Sequence, residues 1–494
     1  MASTDSERGS GRLKKAFGAL VVVALVGAGG VAWRTGWAED QWHDFRDGQS
    51  GAPADPAAVA PPPEVDVPDV VLPEAVAEPA DGLARLDPAA LKKALAELND
   101  PDLGRHVLAI VGALNGTGVA FEKSEGSAVA IPASTTKLVT SAAGLFVLGP
   151  DKVFETTTVL DRSGTTPRLV LVGGGDPFLA RAPEPADAKP EVSGTYLPVR
   201  ADVKTLARRT AKALKKDGIR SVAFAYDDSL FSGPAVNPRW EPGYVPDDIA
   251  PISALWIDEG READGSGRVM NPAPVAAQEF RKALAAYGVK AVGRTAHDTA
   301  PAGATRIGSV SSPTVAQFVQ RLVEVSDNAA AEVLLRHIGV ADQGEGSSAA
   351  GQAGVERVLT ANGIPLGDTV LYDGSGLSRE NRMEPSVLLG VIRLAASADH
   401  PQLRPLLAAL PVAGFTGSLK DRMDEGPPDG RGRVRAKTGT LTGVSSLAGI
   451  AVDRDGNLIA FALMADKVKG PKQTLAQTAL DNAAASLGAC SCGN

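Results

Sequence analysis

The sequence has little cysteine, histidine or aromatic content. Of 494 residues, two are cysteines within the last five positions, five are scattered histidines, and aromatic residues make up 4%. A Cys/His zinc cluster and a disulfide scaffold are therefore excluded as organising principles. Basic residues are also outnumbered, since the net charge is −8. Neither a basic face for nucleic acid nor a platform for stacking on bases is expected.

The rest of the composition is that of a globular protein, with 44% apolar and 22% charged residues. At roughly 150 residues per domain, the length predicts about three domains. The acidic excess is concentrated between Ala52 and Asp81, which hold 8 prolines, 7 acidic residues and no Lys or Arg. Proline density and like-charge repulsion both favour an extended chain. We therefore interpret residues 34–82 as an acidic, proline-rich stalk.

The first 33 residues predict a membrane-targeting segment. A basic segment, residues 1–15, precedes an apolar run from Ala16 to Trp33. As a helix, this run of 18 residues spans about 27 Å, near the thickness of a bilayer core. An uncleaved single-pass anchor in the cell membrane is one interpretation, and it places the folded part outside the cytoplasm. A cleaved signal peptide of a secreted protein and a buried core helix are the alternatives.

The first chemical motif is Ser134-Thr135-Thr136-Lys137, at the start of a predicted helix. Residues three apart lie on one face of a helix, so Ser134 and Lys137 are predicted neighbours. A serine hydroxyl is a poor nucleophile until a base removes its proton. A lysine whose pKa is lowered by burial can be that base. The motif is weak evidence alone, because any helix start can contain it by chance.

Two further motifs follow along the chain. Ser326-Asp327-Asn328 lies between two predicted helices, where an Asp is often only a helix cap. Lys437-Thr438-Gly439-Thr440 lies on a predicted strand of an antiparallel sheet. Each tripeptide is common by itself. In this order and on these elements, the three motifs match the set found in serine penicillin-recognising enzymes.

The chain also resembles a more specific family, the class C low-molecular-mass penicillin-binding proteins. These are D-alanyl-D-alanine carboxypeptidases/endopeptidases, and the resemblance spans roughly Asp87 to Leu487. It is seen in the stretches Pro132-Ala-Ser-Thr-Thr-Lys-Leu, Leu171-Val-Gly-Gly-Gly-Asp-Pro, Pro251-Ile-Ser-Ala-Leu, Asp373-Gly-Ser-Gly-Leu-Ser-Arg, Leu410-Pro-Val-Ala-Gly and Lys437-Thr-Gly-Thr-Leu-Thr-Gly-Val.

The resemblance implies an α+β fold. A β-lactamase/transpeptidase-like domain, with an antiparallel sheet flanked by helices, would hold one or more smaller inserted domains. The long separation of Ser134 from Ser326 independently predicts an insert, because the motifs must converge. We assign the catalytic domain to 83–172 and 307–488, the insert to 173–306 and a tail to 489–494.

By the same resemblance, Ser134 attacks the carbonyl between two D-alanines of a peptidoglycan stem peptide, and Lys137 takes its proton. Ser326 relays a proton to the leaving amine, and Asn328 hydrogen-bonds the backbone amide of the substrate. The strand supplies the remaining substrate contacts: Lys437 gives positive potential, Thr438 and Thr440 bind the terminal carboxylate, and Gly439 lies between them. Penicillins are expected to acylate Ser134. Neither a cofactor nor a metal is expected.

Several alternatives stay open at this point. A β-lactamase would share the acylation step, and a non-catalytic wall-binding protein could share the fold. The segment Asp373 to Arg379 is either a structural loop or part of the cleft. Cys490 and Cys492 can form a disulfide within the chain, pair between chains, bind metal, or belong to a frayed tail. The sequence does not separate carboxypeptidase from endopeptidase action, and it leaves the oligomeric state open.

Overall fold

The computed structural model describes residues 85–184 and 199–493, which belong to one compact unit. The predicted basic segment 1–15, the apolar segment 16–33 and the stalk 34–82 lie outside the described residues. No helix in the two described ranges is both long enough and apolar enough to span a bilayer.

The first of two sheets has five antiparallel strands in the order β2-β1-β10-β9-β8. The strands are β1 (Val107–Ala113), β2 (Phe121–Lys123), β8 (Val434–Leu441), β9 (Val444–Val452) and β10 (Leu458–Ala465). All seven residues of β1 are buried. Alternate residues of β1 join two different hydrophobic clusters, because successive side chains of a strand point to opposite faces. The sheet is therefore covered by helices on both faces.

Within the described residues, ten α-helices surround the sheets. They are α1 (Pro88–Ala94), α2 (Thr136–Leu148), α3 (Val203–Lys216), α4 (Pro272–Ala286), α5 (Val315–Glu324), α6 (Asn328–Gln343), α7 (Ser348–Ala361), α8 (Pro385–Ala396), α9 (Arg404–Ala408) and α10 (Gln473–Ala489). On one face of the first sheet, α2, α5, α6, α7 and α8 contribute to a single core. On the other face, α1 and α10 pack against it.

The second sheet has the strand order β6-β5-β4-β3-β7. Its strands are β3 (Glu155–Asp161), β4 (Arg168–Val172), β5 (Ser221–Asp227), β6 (Lys290–His297) and β7 (Thr305–Ser311). The pairs β4–β5 and β5–β6 are parallel, and the helices α3 and α4 that precede β5 and β6 pack on this sheet. Such helical crossovers are what parallel neighbours require.

The segment that builds the second sheet is longer than the predicted insert 173–306. Strands β3 and β4 come before residue 173, and β7 extends beyond residue 306. The residues of β3 alternate between half-buried and buried. This alternation is the same in any half-buried strand, so the sequence pattern alone does not show to which sheet a strand belongs.

The C-terminal segment is anchored to the fold. Cys490 and Cys492 form a disulfide within the chain, which is one of the open alternatives for these residues. Cys492 is fully buried, and its carbonyl accepts the Asp87 N–H at 2.8 Å. Leu86 pairs with Gly493 in an isolated bridge. The interpretation of residues 489–494 as a frayed tail is therefore wrong over the described positions, because their backbone has partners inside the fold.

Candidate active site

Ser134 lies in a short 3-10 turn, Ala133–Thr135, that leads into α2. Ala133 has a φ of 49°, in the left-handed region that residues with a Cβ seldom adopt. The Pro132 carbonyl accepts hydrogen bonds from the hydroxyls of Thr135 at 2.7 Å and Ser446 at 2.6 Å. Ser134 itself is only half-buried. The fold thus holds one accessible hydroxyl on an otherwise enclosed turn.

Lys137 is fully buried beside that hydroxyl. Its Nζ lies 3.0 Å from Ser134 Oγ, 2.7 Å from Asn328 Oδ1 and 2.6 Å from the carbonyl oxygen of Ser375. Burial lowers the pKa of Lys137 to about 8, against the opposing charges of nearby carboxylates. A neutral amine in this place has two N–H groups for the two oxygens and a lone pair for the Ser134 hydroxyl. This is the geometry of a general base.

The second motif is positioned by the start of α6. The Asp327 carboxylate accepts the Ala330 N–H at 3.0 Å, so Asp327 is a helix cap as well as part of the motif. Asn328 is the first residue of the helix, and its side chain reaches Lys137. Ser326 precedes the cap with a φ of 64° and is half-buried. The turn of Ser134, the start of α6 and the backbone at Ser375 thus all contact Lys137 Nζ.

The third motif lies on β8, an outer strand of the first sheet. Lys437 is fully buried. Burial is the main cause that holds the pKa of Lys437 well below its usual range, and the positive charges of Lys137 and Arg422 add to it. A Cβ on Gly439 would lie 2.1 Å from Ser446 Oγ and 3.2 Å from the Ser134 nitrogen. Only glycine permits this approach, which brings β8 against the backbone of Ser134.

The two threonines of β8 are held by residues that the sequence did not single out. The Thr438 hydroxyl donates to Ser418 Oγ at 2.9 Å, and Gln477 of α10 donates to the Thr440 hydroxyl at 2.9 Å. Neither Ser418 nor Gln477 belongs to a recognisable motif. Residues 411–413 pair with the start of β8, with an isolated bridge between Val412 and Arg435. No described strand pairs with the outer edge of the rest of β8, which carries the third motif. An extended peptide can therefore add to this edge by backbone hydrogen bonds.

The loop that follows Asp373 is a part of the site that sequence reasoning left undecided. The Ser375 carbonyl contacts Lys137 directly. A Cβ on Gly376, which has a φ of 85°, would lie 1.9 Å from the Ala133 carbonyl oxygen. The loop therefore packs on the turn that bears Ser134. Its Gly-Ser-Gly sequence indicated a turn, but a contact made through a backbone carbonyl has no residue-type signature.

Comparisons with known proteins identify the family of the chain. The D-Ala-D-Ala carboxypeptidase 3 (S13) family matches residues 90–264 and 263–487. The chain belongs to this family. Carboxypeptidase Rv3627c of Mycobacterium tuberculosis is 35% identical over 424 residues, which are 84% of this chain and 87% of that protein. Carboxypeptidase DacB of Mycolicibacterium smegmatis is 34% identical, over 90% and 93% of the two chains.

Solved structures show the same fold at lower identity. The crystal structure of penicillin binding protein 4 (dacB) from Haemophilus influenzae has a TM-score of 0.64 and 20% identity. The match covers 80% of this chain and 98% of that one. The predicted α+β, transpeptidase-like fold is confirmed. The chain is thus a D-alanyl-D-alanine carboxypeptidase, and its predicted membership of the low-molecular-mass penicillin-binding proteins is confirmed.

Proposed function

We propose that this carboxypeptidase works through an acyl-enzyme on Ser134, with Lys137 as the base. The observation that supports this best is the position of Lys137 Nζ, 3.0 Å from Ser134 Oγ in a buried pocket. Lys137 takes the hydroxyl proton while Oγ forms an ester with the penultimate D-alanine carbonyl carbon. The amide bond breaks and the terminal D-alanine leaves with a proton. Water then hydrolyses the ester.

The residues at the start of α6 serve the leaving group and the peptide. Ser326 relays the proton to the departing amine. Asn328 has its Oδ1 occupied by Lys137, so the end that remains for substrate is its amide NH₂ group, a donor. Asn328 therefore hydrogen-bonds a carbonyl of the stem peptide.

Strand β8 supplies the rest of the binding site. Lys437 provides positive potential, and the hydroxyls of Thr438 and Thr440 bind the terminal carboxylate. Gly439 leaves room for Ser134, so that the N–H groups of Ser134 and Thr440 can both face the developing oxyanion. Each such donor contributes about 3 kcal/mol where it has been measured in other enzymes.

Penicillins should acylate the same serine. Cross-linked peptides are the second class of substrate that the proposed mechanism allows. A further crystal structure of the Haemophilus influenzae protein contains a β-lactam, with a TM-score of 0.58 and 20% identity to this chain. We propose that a β-lactam carbonyl occupies the place of the D-alanine carbonyl here. Whether terminal residues or cross-links are cut depends on how much peptide fits beyond the scissile bond.

Mass spectrometry of peptidoglycan fragments after incubation tests the proposal. The protein should release D-alanine from a pentapeptide, and Ser134→Ala should release none. Ser163→Ala, at an exposed turn, should match the unmodified protein. Products from cross-linked dimers would add endopeptidase action. D-alanine release by Ser134→Ala at the full rate would overturn the mechanism.

The β-lactamase alternative is separated by penicillin itself. We expect one long-lived penicilloyl adduct on Ser134 for each molecule of protein. Rapid turnover of a chromogenic cephalosporin would contradict this expectation. Absence of both an adduct and D-alanine release would instead favour the non-catalytic wall-binding protein.

We also propose that residues 16–33 hold this enzyme in the cell membrane, with the active site on the extracytoplasmic side. The support is the length and apolar character of the run and the basic residues before it. Fractionation of cells should recover the full chain with membranes, and deletion of residues 16–33 should abolish that recovery. An N-terminal mass that begins beyond residue 33 would favour the cleaved signal.

A further inference from the structure

Glu332 is a buried carboxylate for which the proposed mechanism has no role. It lies on α6, four residues after Asn328 and hence on the same face of the helix. Only 1% of its surface is exposed. A single oxygen, Oε1, accepts the backbone N–H groups of Gly374 at 2.9 Å and Ser375 at 2.8 Å. A carboxylate in an apolar core is costly unless it is hydrogen-bonded in this way.

The two amides that Glu332 binds belong to the stretch of loop that contacts α2. While their N–H groups face Glu332, the Ser375 carbonyl accepts from Lys137 Nζ at 2.6 Å. The Gly374 carbonyl accepts from the Thr140 hydroxyl at 2.8 Å. The loop backbone is thus fixed on one side by Glu332 and on the other by α2. Its distance from the Lys137 amine depends on both.

We propose that Glu332 is a positioning residue for the D-alanine carboxypeptidase reaction: by holding the amides of Gly374 and Ser375, it keeps the Ser375 carbonyl in place against the Lys137 amine. The proposal rests on the role of Lys137 as base. The Ser375 carbonyl uses one N–H of that amine, which directs the lone pair of the neutral form toward Ser134 Oγ. Without the carbonyl, Asn328 Oδ1 alone holds an N–H of the amine, and the direction of the lone pair is no longer fixed.

General support of the loop comes from a different residue. Asp373 accepts the N–H groups of Gly376 and Ser378 and the side-chain donors of Asn381 and Trp240. These contacts hold the loop on both sides of Ser375 and do not involve Glu332. Loss of Glu332 should therefore disturb the two amides near Lys137 more than the loop as a whole.

Glu332 also has an electrostatic effect that can be measured separately. The charged groups that face Lys137 are Asp327 and Glu332 of the α6 region, Asp373 of the loop and Lys437 of β8. Asp373, then Asp327 and Glu332, raise the pKa of Lys137 and so oppose the effect of burial. Burial and the charge of Asp373 raise the pKa of Glu332 itself to about 7, against the charge of Arg336, so Glu332 carries its full charge only above that pH. Removing the charge while keeping an oxygen acceptor should move the pH profile without lowering the rate at its plateau.

Two variants of the full chain separate acceptor from charge. Glu332→Gln keeps an oxygen for the two amides, and Glu332→Leu removes it at similar volume. The readout is the second-order rate of Ser134 acylation by a fluorescent penicillin between pH 6 and 10. For Glu332→Gln we expect an unchanged plateau, with the acid limb of the pH profile moved toward lower pH. For Glu332→Leu we expect a plateau reduced about tenfold or more.

Asp453 offers a matched control in the turn between β9 and β10. It is also fully buried and accepts backbone N–H groups, from Asp455 at 2.9 Å and Asn457 at 2.8 Å. Asp453→Leu should lower the melting temperature at least as much as Glu332→Leu while leaving the acylation rate of the folded protein unchanged.

Three results would overturn the inference. The first is a folded Glu332→Leu protein whose Ser134 is acylated at the full plateau rate. The second is a loss of acylation rate in Asp453→Leu equal to that in Glu332→Leu. The third is a plateau rate in Glu332→Gln as low as that in Glu332→Leu. Failure of the underlying mechanism has a different signature, because the unmodified protein would then form no adduct on Ser134.

Discussion

At the scale of single residues, the proposed role of Lys137 as base places two conflicting requirements on it, since Lys137 is buried and a base must exchange a proton. Its ammonium form is satisfied by three oxygens, and burial still lowers its pKa to about 8. The base is therefore present in a minor fraction at pH 7 and in a major fraction above pH 8.

The first prediction follows from that pKa. In the proposed mechanism, acylation of Ser134 requires neutral Lys137, so the acylation rate should rise with pH through a midpoint near 8 and then level off. Lys137→Gln should reduce the acylation rate by about 10² to 10⁴-fold and abolish its rise with pH. Stopped-flow measurement with a penicillin reports both. Lys216→Gln, an exposed site at the end of α3, should retain the midpoint and the rate.

The sequence predicts proximity where a motif carries the signal in its side chains. Ser134, Lys137 and Asn328 were placed together by motif, and the structure brings them within hydrogen-bond distance. The Ser375 carbonyl could not be predicted, because every residue has a carbonyl and only the fold selects one. Glu332 did have a signal, a lone acidic residue within the apolar run that begins α6, but such a residue is usually read as a solvated one.

At the scale of elements, the loop after Asp373 depends on a close approach to the turn of Ser134. The second prediction compares Gly376→Ala with Gly456→Ala. Both glycines have a φ of 85°, but a Cβ at Gly456 meets nothing within 4 Å, whereas at Gly376 it meets the Ala133 carbonyl.

Gly456→Ala should therefore cost only the backbone strain, about 1 kcal/mol of unfolding free energy. Gly376→Ala should cost about 3 kcal/mol or more and slow acylation of Ser134 as well, because the turn must shift. Chemical denaturation and penicillin labelling measure the two effects. Equal costs in the two variants would mean that the contact with Ala133 is not important.

The third prediction concerns helix α10, which contacts strand β8 through Gln477. Gln477→Ala removes the hydrogen bond to the Thr440 hydroxyl. If that hydroxyl binds the terminal carboxylate, KM for a D-alanyl-D-alanine peptide should rise about three- to tenfold with little change in kcat. Steady-state D-alanine release measures it, and Thr474→Ala on the exposed side of α10 is the control. A fall in kcat alone would contradict the assignment of Thr440.

The pattern of apolar residues predicts most of the helices and strands, but it does not predict which strands pair in the same sheet. The strand around His106 to Leu114, the helix after Pro88 and the helices on either side of Ser326 are all present. The assignment of β3, β4 and β7 to the second sheet could not be read from the chain. Strand pairing is a tertiary choice, and local patterns of burial look alike in both sheets.

At the scale of the whole unit, the two ends of the described chain are joined. The fourth prediction is that truncation after Ala489 destabilises the protein by about 2–4 kcal/mol, because the Asp87 N–H and the Asp453 carboxylate lose their contacts with buried Cys492. The double variant Cys490→Ser, Cys492→Ser keeps those backbone contacts. It should cost only about 1–2 kcal/mol, as expected for so short a loop.

Thermal unfolding with and without reductant distinguishes the two effects, and penicillin labelling of the folded variants should be unchanged in both. A truncated protein as stable as the full chain would mean that these contacts contribute nothing. The order of the two costs is the decisive result, since it separates docking of the segment from the covalent link within it.

The convergence on Lys137 also has a kinetic consequence. Its partners Asn328 and Ser375 are 191 and 238 residues away along the chain, and Gly439, which adjoins Ser134, is more distant still. Contacts of such range form late, because their loops cost entropy to close. If Lys137 activates Ser134 as proposed, a chain that has not finished folding should not react with a penicillin. The rate at which covalent penicillin labelling appears during refolding should therefore report the rate of the last folding step, at which these long-range contacts form.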